Sequence, residues 1–400
     1  MAGSYIGLDL GTSNLKGVLI RGGRIAAAAV RRVTFLHPEP DRTEIEPEGY
    51  FALVLDLIRE LAGRSEEPVA GIAAAAASGN TLLLEPDGRC AGNIVSWLDA
   101  RKAVCDLDPD RVYRTVGWPY VGCMSIAHLL WFRERGMLAG RHVCMNNDFV
   151  TAKLTGRDQA DYSSATPFYL VDQERRRYSA WMLEAFGLKE EQLPALSGSG
   201  CAIGPLLPEF RGGALTGDTV VYTGSFDHPA AARSVGLTRE DELLLSCGSS
   251  WVAFTASAER PLDRAKNVLV DPYLSESGGP WGAMRSLAQA GLRFEAFVVE
   301  HFGGGDDRYR RLRENAARSD VRAFLSGMVR EFVGIMPERR IRRIYMVGGV
   351  AQDEVCPRMI AEVTGCEVLV PGFHQYAGCV GAAVMAGAAA APPDFTVYRP

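Results

Sequence analysis

Asp9 stands inside the apolar run YIGLDL and is followed at once by Gly-Thr-Ser-Asn, with Lys16 two residues further on. A buried carboxylate without a partner charge is expensive, and strands seldom carry Asp by preference. Thr12, Ser13 and Asn14 gather hydroxyls and backbone N–H groups in one concavity, a nest of the kind that holds phosphate oxygens. Lys16 adds a cation. The stretch has neither G-x-x-x-x-G-K-[ST] nor G-x-G-x-x-G, so it is neither a P-loop nor a dinucleotide fingerprint. An ordinary hairpin with a polar turn is the other reading. LLLSCGSSWVAF repeats the same logic, with Gly248, Ser249 and Ser250 between two apolar runs. Two such nests could hold one polyphosphate from both sides.

Asp227, in TGSFDHPAAARSVG, follows an apolar run and a Gly-Ser turn. A carboxylate there could face a reacting hydroxyl, or cap the helix that the Pro and alanines begin; the two roles are compatible. MVGGVAQDE sets a Gly pair between strand and helix, where backbone can approach a flat ring or simply turn. SWLDARK puts Trp97, Asp99 and Arg101 together, as a sugar-contacting wall or as a packed Trp beside a surface ion pair.

The elements that must position these residues follow from periodicity. YIGLDL, LKGVLI and GRIAAAAV read as a three-stranded antiparallel meander with a tight RGG turn. PEGYFALVLDLIRELAG has apolar residues at helical spacing and Pro47 near its start. VAGIAAAAAS is a short apolar run, and SIAHLLWFRERGML and SAWMLEAFGL fit a helical period. VRAFLSGMVREFVGIM predicts a helix, RRIYMVGGV a strand, and CVGAAVMAGAAA a terminal small-residue helix. Two strand–turn–strand units roughly 240 residues apart predict two related domains facing each other, and a chain of this length is the usual size for two cores.

Composition bounds the partners. The 400 residues are 47% hydrophobic and 23% charged, with a formal charge of -5. That balance argues against nucleic-acid or anionic-membrane binding, which needs a basic excess. GCVGAAVMAGAAAAPP is too short and too small-sided to span a bilayer. The first strand pattern begins at once, so no signal peptide is expected. Nine cysteines without a C-x-x-C pair suggest neither a zinc ribbon nor a redox motif, and a cytoplasmic protein is expected.

In order along the chain, GLDLGTSNLKGVLI, EIEPEGYF, SWLDAR, LTGRDQADYSSAT, TGSFDHPAAARSVG, LLLSCGSSWVAF, YMVGGVAQDEVCPRMIAEVTGCEVLVP and GCVGAAVMAG resemble the FGGY carbohydrate kinase family. That family belongs to the superfamily of actin, hexokinase and the heat-shock chaperones. The resemblance implies an α/β fold of two ribonuclease-H-like (actin-type ATPase) domains with a cleft between them. Residues 1–237 would carry the sugar site, the first phosphate loop and the catalytic Asp; residues 238–400 would carry the second phosphate loop and the adenosine site. It implies transfer of the terminal phosphoryl of Mg-ATP to a sugar, ketose or polyol, with ATP and Mg²⁺ as cofactors, and a homodimer as one assembly. Carried over residue by residue, Asp9 is the metal-associated aspartate and Asp227 the catalytic base. Thr12, Ser13, Asn14 and Lys16 fall on the first phosphate loop, and Gly248 and Ser249 on the second. Gly291, Gly348, Gly349 and Asp353 fall on the adenosine side. Asn80, Thr81, Trp97 and His228 fall on or beside the sugar positions, with Trp251 a neighbour.

The chain departs from the family pattern between WVAFTAS and MVREFVGIM, where it is shorter and lacks a Gly-Glu-Arg-x-Pro stretch. Val350 stands where a third Gly is common, Asn80 where Gln is frequent, and His128 where Lys is often found. These changes argue against glycerol as the substrate. A catalytically impaired sugar- or nucleotide-binding relative with a regulatory role is the alternative. A chaperone-like ATPase would need a peptide-binding domain for which no residues remain.

Overall fold

The alternation in SYIGLDL and NLKGVLIR builds a hairpin of β1 (Ser4–Leu10) and β2 (Asn14–Arg21). The third strand, β3 (Arg24–Arg32), joins β2 through Gly22 and Gly23, both at positive φ, where a side chain would be strained. The expected meander is therefore present. This computed structural model describes residues 3–77, 79–122, 124–305, 307–389 and 393–400.

Two compact units divide the chain. The first comprises Met1–Ala230, Leu262–Pro272 and Gly378–Ala391; the second comprises Ala231–Pro261, Tyr273–Ala377 and Pro392–Pro400. The units are thus discontinuous in sequence.

In the first unit, α1 (Pro47–Gly63) buries Tyr50, Phe51, Val54, Leu57, Ile58 and Leu61 on one face. Glu46 caps it, its carboxylate accepting from the N–H groups of Glu48 and Gly49, and Pro47 occupies the first turn. The run VAGIAAAA forms a strand, Val69–Ala76, parallel to β1. Sheet order is Ala202–Pro205, Val220–Tyr222, Val69–Ala76, β1, β2, β3. The central strand is buried on both faces, as a parallel strand must be: Ile72, Ala74 and Ala76 join the α1 core, and Ala73 and Ala75 meet Ala230, Ala382 and Ala386. The small-residue helix Ala377–Met385 lies against the second face. A Cβ on Gly381 would come within 1.8 Å of the Ala230 carbonyl oxygen, so only glycine permits that approach.

The second unit repeats the same directions. Glu242–Cys247 pairs antiparallel with Trp251–Ser257, which pairs antiparallel with Trp281–Leu287. Arg343–Gly348 runs parallel to Glu242–Cys247, and Glu367–Pro371 runs parallel to Arg343–Gly348. The helix Ser319–Ile335 buries Val321, Leu325, Met328, Val329 and Phe332 and, like α1, lies in the chain between the third and fourth strands. Each unit has three antiparallel strands, then a helix, then parallel strands, which is the arrangement expected of a ribonuclease-H-like domain. Among the described residues no helix is long and apolar enough to cross a membrane.

Candidate active site

In both units the candidate residues collect at the carboxyl ends of the paired parallel strands. In the first unit Asp9 lies opposite Ala75, and Ser225 lies opposite the same Ala75 from the other side. Asp227 begins a helix, Asp227–Ser234, two residues past Ser225. Strand register therefore brings two carboxylates more than two hundred positions apart in sequence to one sheet edge. Asp9 also faces Lys16 across the β1–β2 pair, so the two share a sheet face.

The carboxylates sense their surroundings. Burial lifts the Asp9 carboxyl to about 6; Lys16 opposes this, and the charge of Asp227 adds to it. Burial lifts Asp227 to about 7 against the hydrogen bond that Asp227 Oδ1 accepts from the His228 N–H at 2.7 Å. His228 is pushed by burial down to about 4. It is therefore neutral at pH 7, with Nε2 3.6 Å from Asp227 Oδ1 and its ring edge-on to Phe226.

Trp97 ties Asn80 to the first turn. Its indole Nε1 donates to Thr12 Oγ1 at 2.7 Å, and its backbone N–H donates to Asn80 Oδ1 at 2.9 Å. The Asn80 amide in turn donates to the Ala77 carbonyl at 2.9 Å, so both ends of that side chain hold backbone. The ion pair read as a surface feature is buried: Arg101 bonds to Asp99 at 2.7 Å and Glu44 at 2.6 Å, with side-chain exposures of 3%, 0% and 12%. It fixes the loop that carries Trp97, because Asp99 also accepts from the Thr43 N–H.

Two expected sugar-side residues point elsewhere. Thr81 is fully buried, and its hydroxyl engages Ser125 at 3.0 Å and His128 Nδ1 at 2.9 Å. Burial keeps His128 neutral, its pKa pushed down to about 3. Trp251 is buried in the core of the second unit against Phe294.

In the second unit Cys247 pairs with Gly348, which brings the Gly248–Ser249–Ser250 turn beside the Gly348–Gly349 step. Gly291 opens the helix Ala290–Phe302 and donates its N–H to the Ser249 carbonyl at 3.0 Å. A Cβ on Gly291 would sit 1.8 Å from the Gly248 carbonyl oxygen. Asp353 is fully buried; Oδ1 accepts from the Val355 N–H at 3.2 Å, while Oδ2 has no partner. Burial lifts its carboxyl to about 6. His374 Nδ1 lies 2.9 Å from the Gly348 carbonyl, a contact that no sequence motif announced, since His374 is a lone His in an irregular stretch.

The residues present fit a magnesium ion carried on phosphate rather than caged by protein. Among the described residues no group of three or more His, Cys, Asp or Glu is placed to hold a metal ion. Asp9 offers one carboxylate beside a hydroxyl-lined turn, and Mg²⁺ is usually held by one or two carboxylates with waters and phosphate oxygens. Gly378 leaves room beside it: a Cβ there would stand 3.2 Å from Asp9 Oδ2.

Comparison with known proteins gives the family. The pattern of the FGGY family of carbohydrate kinases, N-terminal domain, matches residues 4–233, more than half the chain. The chain belongs to the FGGY family of carbohydrate kinases. The FGGY C-terminal domain pattern matches residues 321–390. Among relatives of this FGGY chain, the xylulose kinase of Escherichia coli (strain K12) is 29% identical over 63% of the chain and 54% of its own length. The xylulose kinase of Klebsiella pneumoniae is 28% identical over 72% of the chain and 61% of its own length. The chain thus spans about half to three fifths of the length of these two xylulose kinases. The crystal structure of a ligand-bound xylulose kinase from Lactobacillus acidophilus superposes with a TM-score of 0.87 at 16% identity, covering 100% of this chain and 94% of that one. That likeness shows the fold: the FGGY chain has the actin-like ATPase architecture.

Proposed function

We propose that this chain is a Mg-ATP-dependent carbohydrate kinase that phosphorylates a hydroxyl of a sugar, ketose or polyol, with Asp227 as the base. A ketopentose such as xylulose is the first acceptor to consider, because the two relatives above are named xylulose kinases. The observation that carries the reading is the pair Asp9 and Asp227 at the ends of the two strands that flank Val69–Ala76, with the Asp227 carboxyl raised to about 7.

Phosphoryl transfer passes through a loose transition state, so positioning and charge neutralisation outweigh covalent help from the protein. Asp227 orients the acceptor hydroxyl and takes its proton late. An ordinary aspartate at about 3.9 is a weak base for that task; a carboxyl near 7 is matched to neutral pH. Mg²⁺, when bound, neutralises charge on the transferring phosphate, and Asp9 is the residue that would hold it. Thr12, Ser13, Asn14 and Lys16 on one turn, with Gly248 and Ser249 on the other, would meet the phosphates. Gly348, Gly349, Asp353 and Gly291 would line the nucleoside. Trp97, held by Asn80, and the neutral His228 would face the sugar. The cytoplasm, where ATP is abundant, is the compartment this reading implies.

The test is a coupled ADP-release assay with Mg-ATP over ketoses, aldoses, linear polyols and cyclitols. One acceptor is expected to give turnover that Asp227→Asn lowers by about 10²–10⁴-fold, with the fold intact by circular dichroism. Silence across the panel, with nucleotide binding measured separately, would favour a sugar- or nucleotide-binding protein instead.

A further inference from the structure

We infer that Ser163 and Asp271 form a buried anchor that sets the position of Asp227, which makes both of them positioning residues for the reaction. This rests on the kinase reading for its consequence and on geometry for its existence. Asp271 lies in the stretch 234–320, outside both regions matched by the family patterns. Its segment, Leu262–Pro272, nevertheless folds into the first unit.

The segment is tied down along its length. Tyr113 Oη donates to the Val268 carbonyl at 2.9 Å. Trp118 Nε1 and Gln173 Nε2 donate to the Val270 carbonyl at 3.0 and 2.8 Å. The Val270 N–H donates to the Gly117 carbonyl at 3.0 Å. These bonds deliver the Asp271 carboxylate to the interior, where the residue is fully buried. There Ser163 Oγ donates to Asp271 Oδ2 at 2.7 Å and accepts from the Phe226 N–H at 3.2 Å.

Phe226 is the residue immediately before the base. Its peptide ends the short strand Ser225–Phe226 that sets the level of Asp227 beside Asp9. With its hydroxyl proton committed to the carboxylate, Ser163 presents lone pairs to that N–H, so the relay has one sense only. The Ser163–Asp271 bond, at 2.7 Å, is the shorter of the two. Trp118, packed edge-on to Phe226 at 5.6 Å between ring centres, closes the same strap on the side-chain side. A displacement of the base by a fraction of an ångström changes how it meets an acceptor hydroxyl, and misplacements of about 1 Å can cost about 10²-fold.

The experiment follows the Asp227 carboxyl carbon by ¹³C NMR through a pH titration, assigned with Asp227→Asn, alongside steady-state kinetics. Ser163→Ala is expected to move the Asp227 midpoint from about 7 toward the ordinary carboxylate range as the peptide loosens and water reaches it. It should lower kcat about tenfold or more with the nucleotide Kd unchanged. Ser163→Thr, which keeps the hydroxyl, should titrate near wild type. Where Ser163→Ala does not fold, Ser163→Cys, nearly isosteric and a poor acceptor, must shift the midpoint in the same direction. A folded Ser163→Ala or Ser163→Cys with an unmoved Asp227 midpoint overturns the anchor. A moved midpoint in a protein that phosphorylates no acceptor upholds the anchor and sinks the kinase reading, so the two failures are distinct.

Discussion

As the proposed base, Asp227 would act through its raised pKa. Burial raises the carboxyl to about 7, and only the ionised form can accept a proton. The free enzyme's kcat/KM should therefore climb tenfold per pH unit below about 7 and level off above it. A stopped assay from pH 5.5 to 9 checks this, and a profile flat across pH 6–8 would remove Asp227 from the base role. Asp9 is expected to act on the metal. Asp9→Asn should raise the Mg²⁺ concentration needed for half-maximal nucleotide binding by about tenfold, read by calorimetry at fixed ATP analogue, because one ligand charge is lost.

Elements position these residues through close backbone approach. The Ala290–Phe302 helix begins on the second turn because Gly291 has no Cβ to strike the Gly248 carbonyl oxygen. Gly291→Ala must push the helix off that turn. Nucleotide affinity should fall about tenfold or more, equivalent to about 1.4 kcal/mol, while sugar binding measured without nucleotide stays as in wild type. Equal loss of both ligands would mean that the variant damages the fold instead. In the first unit the corresponding link is the indole of Trp97 on Thr12 Oγ1. It joins the loop after Ile94–Val95 to the turn between β1 and β2.

At the scale of the molecule, three candidate carboxylates make stability depend on pH. Asp9, Asp227 and Asp353 hold a proton more tightly folded than unfolded, with folded values of about 6, 7 and 6. From about pH 4 to 7 the folded state therefore binds more protons at these sites, and their contribution to stability falls as pH rises. His128 and His228, held neutral with folded values of about 3 and 4, run the other way. Their contribution falls as pH drops from about 6.5 through those folded values. The two trends overlap between about pH 4 and 6.5, so single variants reveal what the wild-type curve conceals. Asp227→Asn should raise Tm over wild type at pH 8, with the gain shrinking toward pH 4. Thermal denaturation at both pH values tests this, and a gain equal at both would separate stability from the carboxyl's charge.

By itself the sequence determined the local elements, both turns and the family. Short apolar runs bounded by turn residues made the hairpins legible in YIGLDL and LLLSC, period 3.6 marked PEGYFALVLDLIRELAG, and Gly, Ser and Thr marked the turns, because each pattern is a property of neighbouring residues. The strand Trp281–Leu287 was not legible, since WGAMRSL shows no clean alternation of apolar and polar residues. Only tertiary structure decided that Thr81 turns inward to His128, that Arg101 and Asp99 are buried, and that Leu262–Pro272 folds into the first unit. It also decided the pKa of Asp227, which burial raises against the hydrogen bond from the neighbouring His228 N–H. Burial is set by segments that arrive from far along the chain, and no local pattern records who those neighbours will be.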